Sequence, residues 1–297
     1  MKPLKIFIEF LATLYFGQWI ITLFLLFIVS KSSFRFSQLY HKTTKMDYEI
    51  LCIGNSRGVN SFYSPYINNT FSLKSYNLSY NGLNLSIEKI LLEDYLENHN
   101  KPKAVFIEVS NVFNSNSKPY YESFNMYSSK SKRINEKIKE TDLNTYILSA
   151  TFPLYRYNNE FLFRSLFYMF KADQNWINRY KITEGFNQKV LEMPTKNFSC
   201  NKKDLMILRQ IVVMLKKKDV NVYLYLAPYL PNYLSKINNL SFQIAYIEKE
   251  IGVKVINLSR SLSKPDFFSD RVHINEEGAK LVANLLIRSS NPYKNKN

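Results

Sequence analysis

The sequence predicts an α/β fold, with one parallel β-sheet carrying helices on both faces. Three observations lead there. Short apolar runs alternate along the chain with longer segments whose apolar residues recur at helical spacing, the pattern of strand–helix–strand units. The first run, Glu49-Ile50-Leu51-Cys52-Ile53, ends in the tight turn Gly54-Asn55-Ser56 and passes directly into a helix-like segment with Val59 and Phe62 as its first apolar positions. Finally, 297 residues with 46% hydrophobic content are enough to build a full core.

The first strand is expected over Tyr48–Ile53, and Tyr76–Ser79 reads as a second, followed by the turn Tyr80-Asn81-Gly82-Leu83. Leu85–Leu96 has helical spacing through Ile87, Ile90, Leu91, Leu92 and Tyr95. Ala104–Val109 is the third strand and ends at Ser110-Asn111. A helix over Asp204–Leu215 precedes the fourth strand, Val220–Ala227. A helix over Phe242–Ile251 precedes the fifth, Lys254–Leu258, and the last helix covers Glu276–Leu286.

Two regions stand outside this rhythm. Residues 1–30 read as a transmembrane anchor, because Ile6–Ser30 is almost continuously apolar and long enough to cross a bilayer. The run exceeds a signal-peptide core and Ser30-Lys31-Ser32 is a poor cleavage site, so the segment is expected to stay attached. Glu9, Thr13 and Gly17 share one helix face; Glu9 either meets a partner or snorkels to the near interface. Residues 31–47 are expected to be a polar juxtamembrane linker, and 291–297 a basic tail. From about 113 to 200 no strand pattern occurs and aromatics are dense, among them Phe152, Tyr157, Phe161, Phe163, Phe167, Phe170 and Trp176. That stretch is expected to be a helical insertion, either a cap packed on the sheet or a lid, a glycan-stacking surface or a docking surface for a membrane protein.

The formal net charge is +16, which suits anionic lipid or anionic glycan but equally a solvated basic surface. Lys130–Lys139 and Lys216–Lys218 read as solvated faces, and no nucleic-acid motif accompanies them. Two cysteines make no disulfide framework, and Cys52, inside the first strand, is expected to be a small core residue.

The chemistry concentrates at Ser56 and at Asp270-Arg271-Val272-His273-Ile274-Asn275. A serine at a turn beyond a parallel strand stands where such sheets place reactive groups. Alone it reads more readily as an ordinary strand-to-helix turn. Serine is a weak nucleophile without an adjacent base, and imidazole is suited to that task. Of the three histidines, His41 lies in the expected linker and His99 at a helix exit. His273 alone follows an acid by three residues and precedes a helix cap, Asn275. Asp270 can then fix the imidazole tautomer.

With these blocks in order, the chain resembles the SGNH/GDSL hydrolase superfamily over about 48–112 and 220–286, and within it the membrane-anchored branch of the alginate O-acetylation and teichoic-acid D-alanylation proteins. Gly54-Asn55-Ser56 matches the nucleophile block, Gly82 the second-block glycine and Asp270-x-x-His273 the last block. Asn55 stands where the family has Asp, and Glu108-Val109-Ser110-Asn111 lacks the third-block glycine. The resemblance implies a flavodoxin-like three-layer α/β/α sandwich over 48–290. It implies Ser56, His273 and Asp270 as catalytic residues, with oxyanion donors from Ser56, Gly82 and Asn111 and no metal or cofactor. The implied activity is that of a serine acyl-ester hydrolase or O-acyltransferase on a cell-envelope polysaccharide, supplied by a polytopic membrane acyltransferase, with the globular part extracytoplasmic. Two other readings stay open: a non-catalytic envelope protein that binds glycan or an assembly partner, and a lipase-like esterase.

Overall fold

The computed structural model describes residues 2–113, 120–175 and 177–290. Trp176 and the basic tail at 291–297 lie outside the described residues. In chain order the elements are α1 (Lys2–Lys31), α2 (Arg35–His41), β1 (Ile50–Ile53), α3 (Ser56–Ser61), α4 (Ser64–Phe71), β2 (Ser75–Asn77), α5 (Leu85–Asn98) and β3 (Ala104–Glu108). There follow α6 (Lys132–Thr141), α7 (Leu143–Thr151), α8 (Glu160–Phe167), α9 (Glu184–Leu191), α10 (Lys202–Lys217), β4 (Asn221–Leu226), α11 (Pro231–Leu234), α12 (Leu240–Ile251), β5 (Val255–Asn257) and α13 (Glu276–Ser290). They sort into two compact units, Met1–Met46 with Tyr120–Asp173, and Asp47–Pro119 with Gln174–Asn297.

The second unit holds a five-stranded sheet in the order β2-β1-β3-β4-β5, parallel at every pairing. All five strands fall within two or three residues of the spans expected from the sequence. Every residue of β1 and β3 is buried, which is why these strands read as unbroken apolar runs rather than alternating ones. Such burial requires cover on both faces. The helices supply it in two groups: α10 packs on α5 and α12, and α13 packs on α3 and α4. Asparagines start the main helices. Asn84 accepts from the Ile87 N–H (3.1 Å) at α5, and Asn201 from the Lys203 N–H (2.8 Å) at α10. Cys52 is fully buried, and burial pushes its thiol up to about 12.

The strand order matters for function. Ile50 pairs with Ser75 on one side and Ala104 on the other, so the chain winds outward from β1 to β2 and then returns to β3. The reversal lies between β1 and β3, and it is beyond the carboxyl ends of such strands that doubly wound sheets bind their ligands. Ser56 follows β1, and Ser110 and Asn111 follow β3.

The first unit is helical. Residues 31–47 form more than a polar spacer: they include α2, whose Arg35, Phe36, Ser37, Leu39 and Tyr40 are buried. Phe36 meets Phe34, Phe124 and Phe161 at ring-centroid distances of 5.3, 4.9 and 5.4 Å, and Tyr168 stacks on Phe34 at 5.8 Å. The aromatics between 113 and 200 are therefore divided. Phe161 and Tyr168 are core, while Phe163, Phe167 and Phe170 are exposed. His41 is half-buried in α2; burial first, and the Lys130 charge second, bring its imidazole down to about 4.

One buried ion pair closes this unit. Asp173 Oδ2 accepts from the Arg35 backbone N–H (2.7 Å) and from Nε (2.8 Å), and Oδ1 accepts from Nη2 (2.9 Å). Removing the carboxylate leaves a guanidinium buried without its partner, a loss of about 3–5 kcal/mol. Asp173→Ala is therefore expected to lower the stability of the full chain in detergent micelles by that amount in a denaturant titration. An unchanged midpoint would show that the pair does not hold the unit together.

Candidate active site

β1 delivers the nucleophile turn. Gly54 is required there by close approach, since a Cβ at that position would lie 2.8 Å from Glu108 Cβ on the neighbouring strand β3. Asn55 caps α3, its Oδ1 accepting from the Arg57 N–H at 2.8 Å, and Ser56 is the first helical residue. The cap fixes the turn, so the Ser56 side chain leaves the strand end in one direction.

The other half comes from the segment before α13. Asp270 Oδ1 accepts from the N–H groups of Val272 (2.7 Å) and His273 (2.8 Å), a local ring of the kind a short side-chain oxygen closes. Ser269 N–H donates to the His273 carbonyl (2.9 Å), and Phe268 bridges Ile274, so the residues on either side of the imidazole are held as well. Asn275 caps α13 through the Gly278 N–H (3.2 Å).

Across 217 residues of chain, His273 Nε2 stands 2.7 Å from Ser56 Oγ, and His273 Nδ1 stands 2.7 Å from Asp270 Oδ2. The structure thus brings together all three residues singled out as catalytic. Burial alone would push the Asp270 carboxyl up. The hydrogen bond and charge of His273, with the N–H groups of Val272 and His273, outweigh it and hold the carboxyl below its ordinary value. A carboxylate so held keeps the proton of the imidazole on Nδ1 and leaves Nε2 to accept from the serine.

The oxyanion candidates are placed differently. Gly82 sits in the turn after β2 with φ +74°, a left-handed conformation that glycine adopts without strain. That turn is tied to the nucleophile strand, because Tyr80 N–H donates to the Gly54 carbonyl (3.1 Å). Asn111, by contrast, is fully engaged in a buried network. Its Oδ1 accepts from Asn55 Nδ2 (2.6 Å) and its Nδ2 donates to Glu88 Oε1. Asn55 Nδ2 also donates to Ser110 Oγ at 3.2 Å. Asn55 and Asn111 therefore brace the turn together.

Three further residues shape the site and were not singled out from the sequence. Arg57, next to the nucleophile, is buried. Its Nε donates to Glu108 Oε1 (3.3 Å), Nη1 to the Val272 carbonyl (2.9 Å), and Nη2 to the carbonyls of Ala227 and Pro228 (3.3 Å for the latter). The guanidinium carbon lies 3.7 Å from the centre of the Tyr229 ring. Glu108 Oε2 accepts from the Ser110 N–H (3.1 Å) and Oγ (2.6 Å). Glu88, on α5, is completely buried; burial first, then the nearby charge of Glu108, raises its carboxyl well above its ordinary value. The available signals were an acid closing the apolar run of β3 and an acid inside the apolar spacing of α5. No cluster of three or more His, Cys, Asp or Glu side chains with metal-binding geometry occurs among the described residues.

No protein-family model matches the chain, and no curated protein matches it. Among solved structures it is similar to a protein of Bacteroides fragilis NCTC 9343 described as an acylhydrolase, at 12% identity and a TM-score of 0.45, covering 86% of this chain and 94% of that one. It is also similar to a protein of Desulfitobacterium hafniense DCB-2 described as lipolytic and of the G-D-S-L family, at 13% identity and a TM-score of 0.41, covering 82% and 99%. The acetyl xylan esterase AlAXEase gives 11% identity and a TM-score of 0.39, covering 81% and 99%. TM-scores below 0.5 establish no family.

Two outcomes follow from the polar network. Arg57→Lys keeps a cation beside Glu108 but cannot reach the Val272 and Ala227 carbonyls at once. Losing hydrogen bonds made by a charged group, worth about 1.5–3 kcal/mol, should slow labelling of Ser56 by a fluorophosphonate roughly 10- to 100-fold with an unchanged circular dichroism spectrum. Labelling at the wild-type rate would remove Arg57 from the site. Glu88 supplies a pH test. The folded chain keeps a proton at Glu88 above pH 4.5, the ordinary value, where the unfolded chain has lost it. Stability from this group therefore falls as pH rises from there through the raised folded value. Glu88→Gln should flatten that fall in denaturant titrations run across pH; identical slopes in the two proteins would refute it.

Proposed function

We propose that this chain is a serine acyl-ester hydrolase or O-acyltransferase of the SGNH/GDSL type. The observation that carries the reading is the continuous line Ser56 Oγ–His273 Nε2–Asp270, closed at 2.7 Å on both sides of the imidazole. A serine held within hydrogen-bond reach of an oriented imidazole is activated for attack, and this favours an enzyme over a binding subunit that merely kept the fold. The position beyond the carboxyl ends of β1 and β3 supports the same reading.

The chemistry follows from the placement. His273 Nε2 takes the Ser56 proton as Oγ bonds to the acyl carbon, and Asp270 stabilises the imidazolium. The ester carbonyl becomes an oxyanion, for which the Ser56 and Gly82 backbone N–H groups are the proposed donors. His273 returns the proton to the departing alkoxide, leaving an acyl-Ser56 ester. A second hydroxyl, deprotonated by the same imidazole, then attacks the acyl carbon; the bond to Ser56 Oγ breaks and His273 Nε2 returns the proton to that oxygen. Water gives hydrolysis and a sugar hydroxyl gives transfer.

For setting and substrate, α1 supports a membrane anchor: among the described residues it is the one helix long and apolar enough to cross a bilayer, a test that a signal sequence also passes. The resemblance to anchored O-acylation proteins favours an extracytoplasmic domain acting on a cell-envelope polysaccharide, with acyl groups handed over by a polytopic membrane acyltransferase.

A fluorophosphonate should label the wild-type protein at Ser56. Ser56→Ala and His273→Ala should lose the label and cut hydrolysis of a chromogenic acetyl ester by about 10⁴-fold or more. A Ser56→Ala protein that still labels, or still turns over the ester, would exclude the acyl-serine route.

A further inference from the structure

In the first unit, α1 is uncovered all round only along its first half; from Gly17 onward one face is covered, while Ile20, Leu23, Phe24 and Phe27 stay exposed on the other. Every residue of α1 from Lys2 to Phe16 is exposed, and cover begins at Gly17 and Gln18 and continues through buried Thr22 and Val29. The stretch exposed on every side, Ile6–Phe16, is about 16 Å long at about 1.5 Å per residue. A hydrocarbon core is about 30 Å thick. Roughly half of that thickness must therefore be crossed by the portion of α1 already in contact with other elements. Those elements are the 3-10 turn Pro153–Tyr157, α8 and α2, and α7 packs on the same turn.

The outer surface of these elements has the composition of a lipid-facing one. Phe163 and Phe167 stand one helical turn apart on α8 and are exposed, and Phe170, just beyond, is 90% exposed. Phe152 before the 3-10 turn and Leu143 and Ile147 on α7 are exposed too. α7 carries no charged residue. The one acid on α7, the turn and α8 is Glu160, paired with Arg164 at 3.8 Å, and Arg156 has a stem long enough to reach the headgroups. Cations sit at the α1 exit: Lys31 Nζ lies 5.6 Å from the Phe27 ring and Lys171 Nζ 5.6 Å from the Phe167 ring. Ser33 Oγ donates to the carbonyls of Tyr168 and Lys171 (2.8 and 2.7 Å), so both lysines belong to one level. Between Lys5 and Lys31 the helix rises about 39 Å, close to a bilayer's full thickness of about 40–45 Å with headgroups.

We infer that α7, the 153–157 turn and α8 are embedded beside α1 in one leaflet, with Phe163, Phe167 and Phe170 among the acyl chains and Lys31 and Lys171 at the headgroups. The protein would thus hold its membrane by a span and a collar. This inference rests on reading α1 as a bilayer span, and the test separates the two.

The full chain with Cys200→Ser, which leaves the fully buried Cys52 as the remaining native thiol, is reconstituted in phosphatidylcholine–phosphatidylglycerol vesicles. Single cysteines at Ile8, Phe163 and Phe242 are labelled with an environment-sensitive fluorophore. Phe242, exposed on α12 of the other unit, serves as the aqueous reference. Lipid-borne nitroxide should quench most of the emission from Ile8→Cys and Phe163→Cys, and aqueous iodide that from Phe242→Cys. Phe167→Cys repeats the measurement should Phe163→Cys fail to fold. Quenching of the 163 and 167 probes by iodide, with Ile8→Cys still quenched by lipid, overturns the collar and leaves the anchor. A collar probe shielded from both quenchers means that protein, a second copy or a partner, covers the surface, and the inference falls. Loss of lipid quenching at Ile8→Cys removes the span, and the inference falls with it.

Discussion

A single buried guanidinium ties together the two segments that meet at the candidate site. Arg57 is covalently next to Ser56, and its Nη1 holds the carbonyl of Val272, which is covalently next to His273. The Ser56 turn and the His273 segment are therefore linked through one side chain. Its other bonds anchor that side chain to the framework: Glu108 closes β3, and Ala227 and Pro228 follow β4. A buried charge is tolerable only when its donors are satisfied, and here a carboxylate, three carbonyls and the face of Tyr229 meet it. Lysine, with one nitrogen, cannot reach the same set of acceptors. The site depends on the planar fork as much as on the charge.

Two buried carboxyl groups beneath the nucleophile do different work because their surroundings differ. Glu108 meets Arg57, the Ala227 N–H and Ser110. Glu88 has Asn111 on Oε1 and no hydrogen-bond partner on Oε2, and burial raises its carboxyl. One carboxyl can serve as the counter-charge while the other stays neutral and completes an amide network through Asn111 and Asn55 to the cap of α3. The departure of Asn55 from the resembled block is intelligible on this basis. Its amide accepts from the Arg57 N–H at one end and donates to Ser110 and Asn111 at the other, which a carboxylate could not do.

Much of this was legible in the sequence, and the limit has a physical cause. The strands could be read because residues buried on two faces leave unbroken apolar runs. Ser56, Asp270 and His273 could be read because each depends on local geometry: a turn after a strand, and a three-residue ring before a cap. Arg57, Glu108 and Glu88 could not, because their roles exist only once residues 51, 119 or 170 positions apart are brought together. A charged residue in sequence looks solvated until its partners are known. The same blindness affected residues 31–47. They read as a polar linker, but the charge of Arg35 is met within the core by Asp173, 138 residues away.

The first unit places polar pairs within its aromatic core and leaves further apolar side chains on part of its exterior. Its interior holds the Arg35–Asp173 pair and the Ser37 hydroxyl bonded to both Tyr127 and Ser165, while Phe163, Phe167 and Phe170 stand outside. In water such an exterior forgoes about 25 cal/mol for each Å² of apolar surface left exposed. Against acyl chains that penalty disappears. The interior then needs polar bonds for a reason of its own: where the surrounding solvent is as apolar as a phenylalanine, expulsion from water cannot drive helices together, and hydrogen bonds and close packing must. Polar pairs such as Arg35–Asp173 among the core aromatics, with further aromatics outside, are what that environment would select.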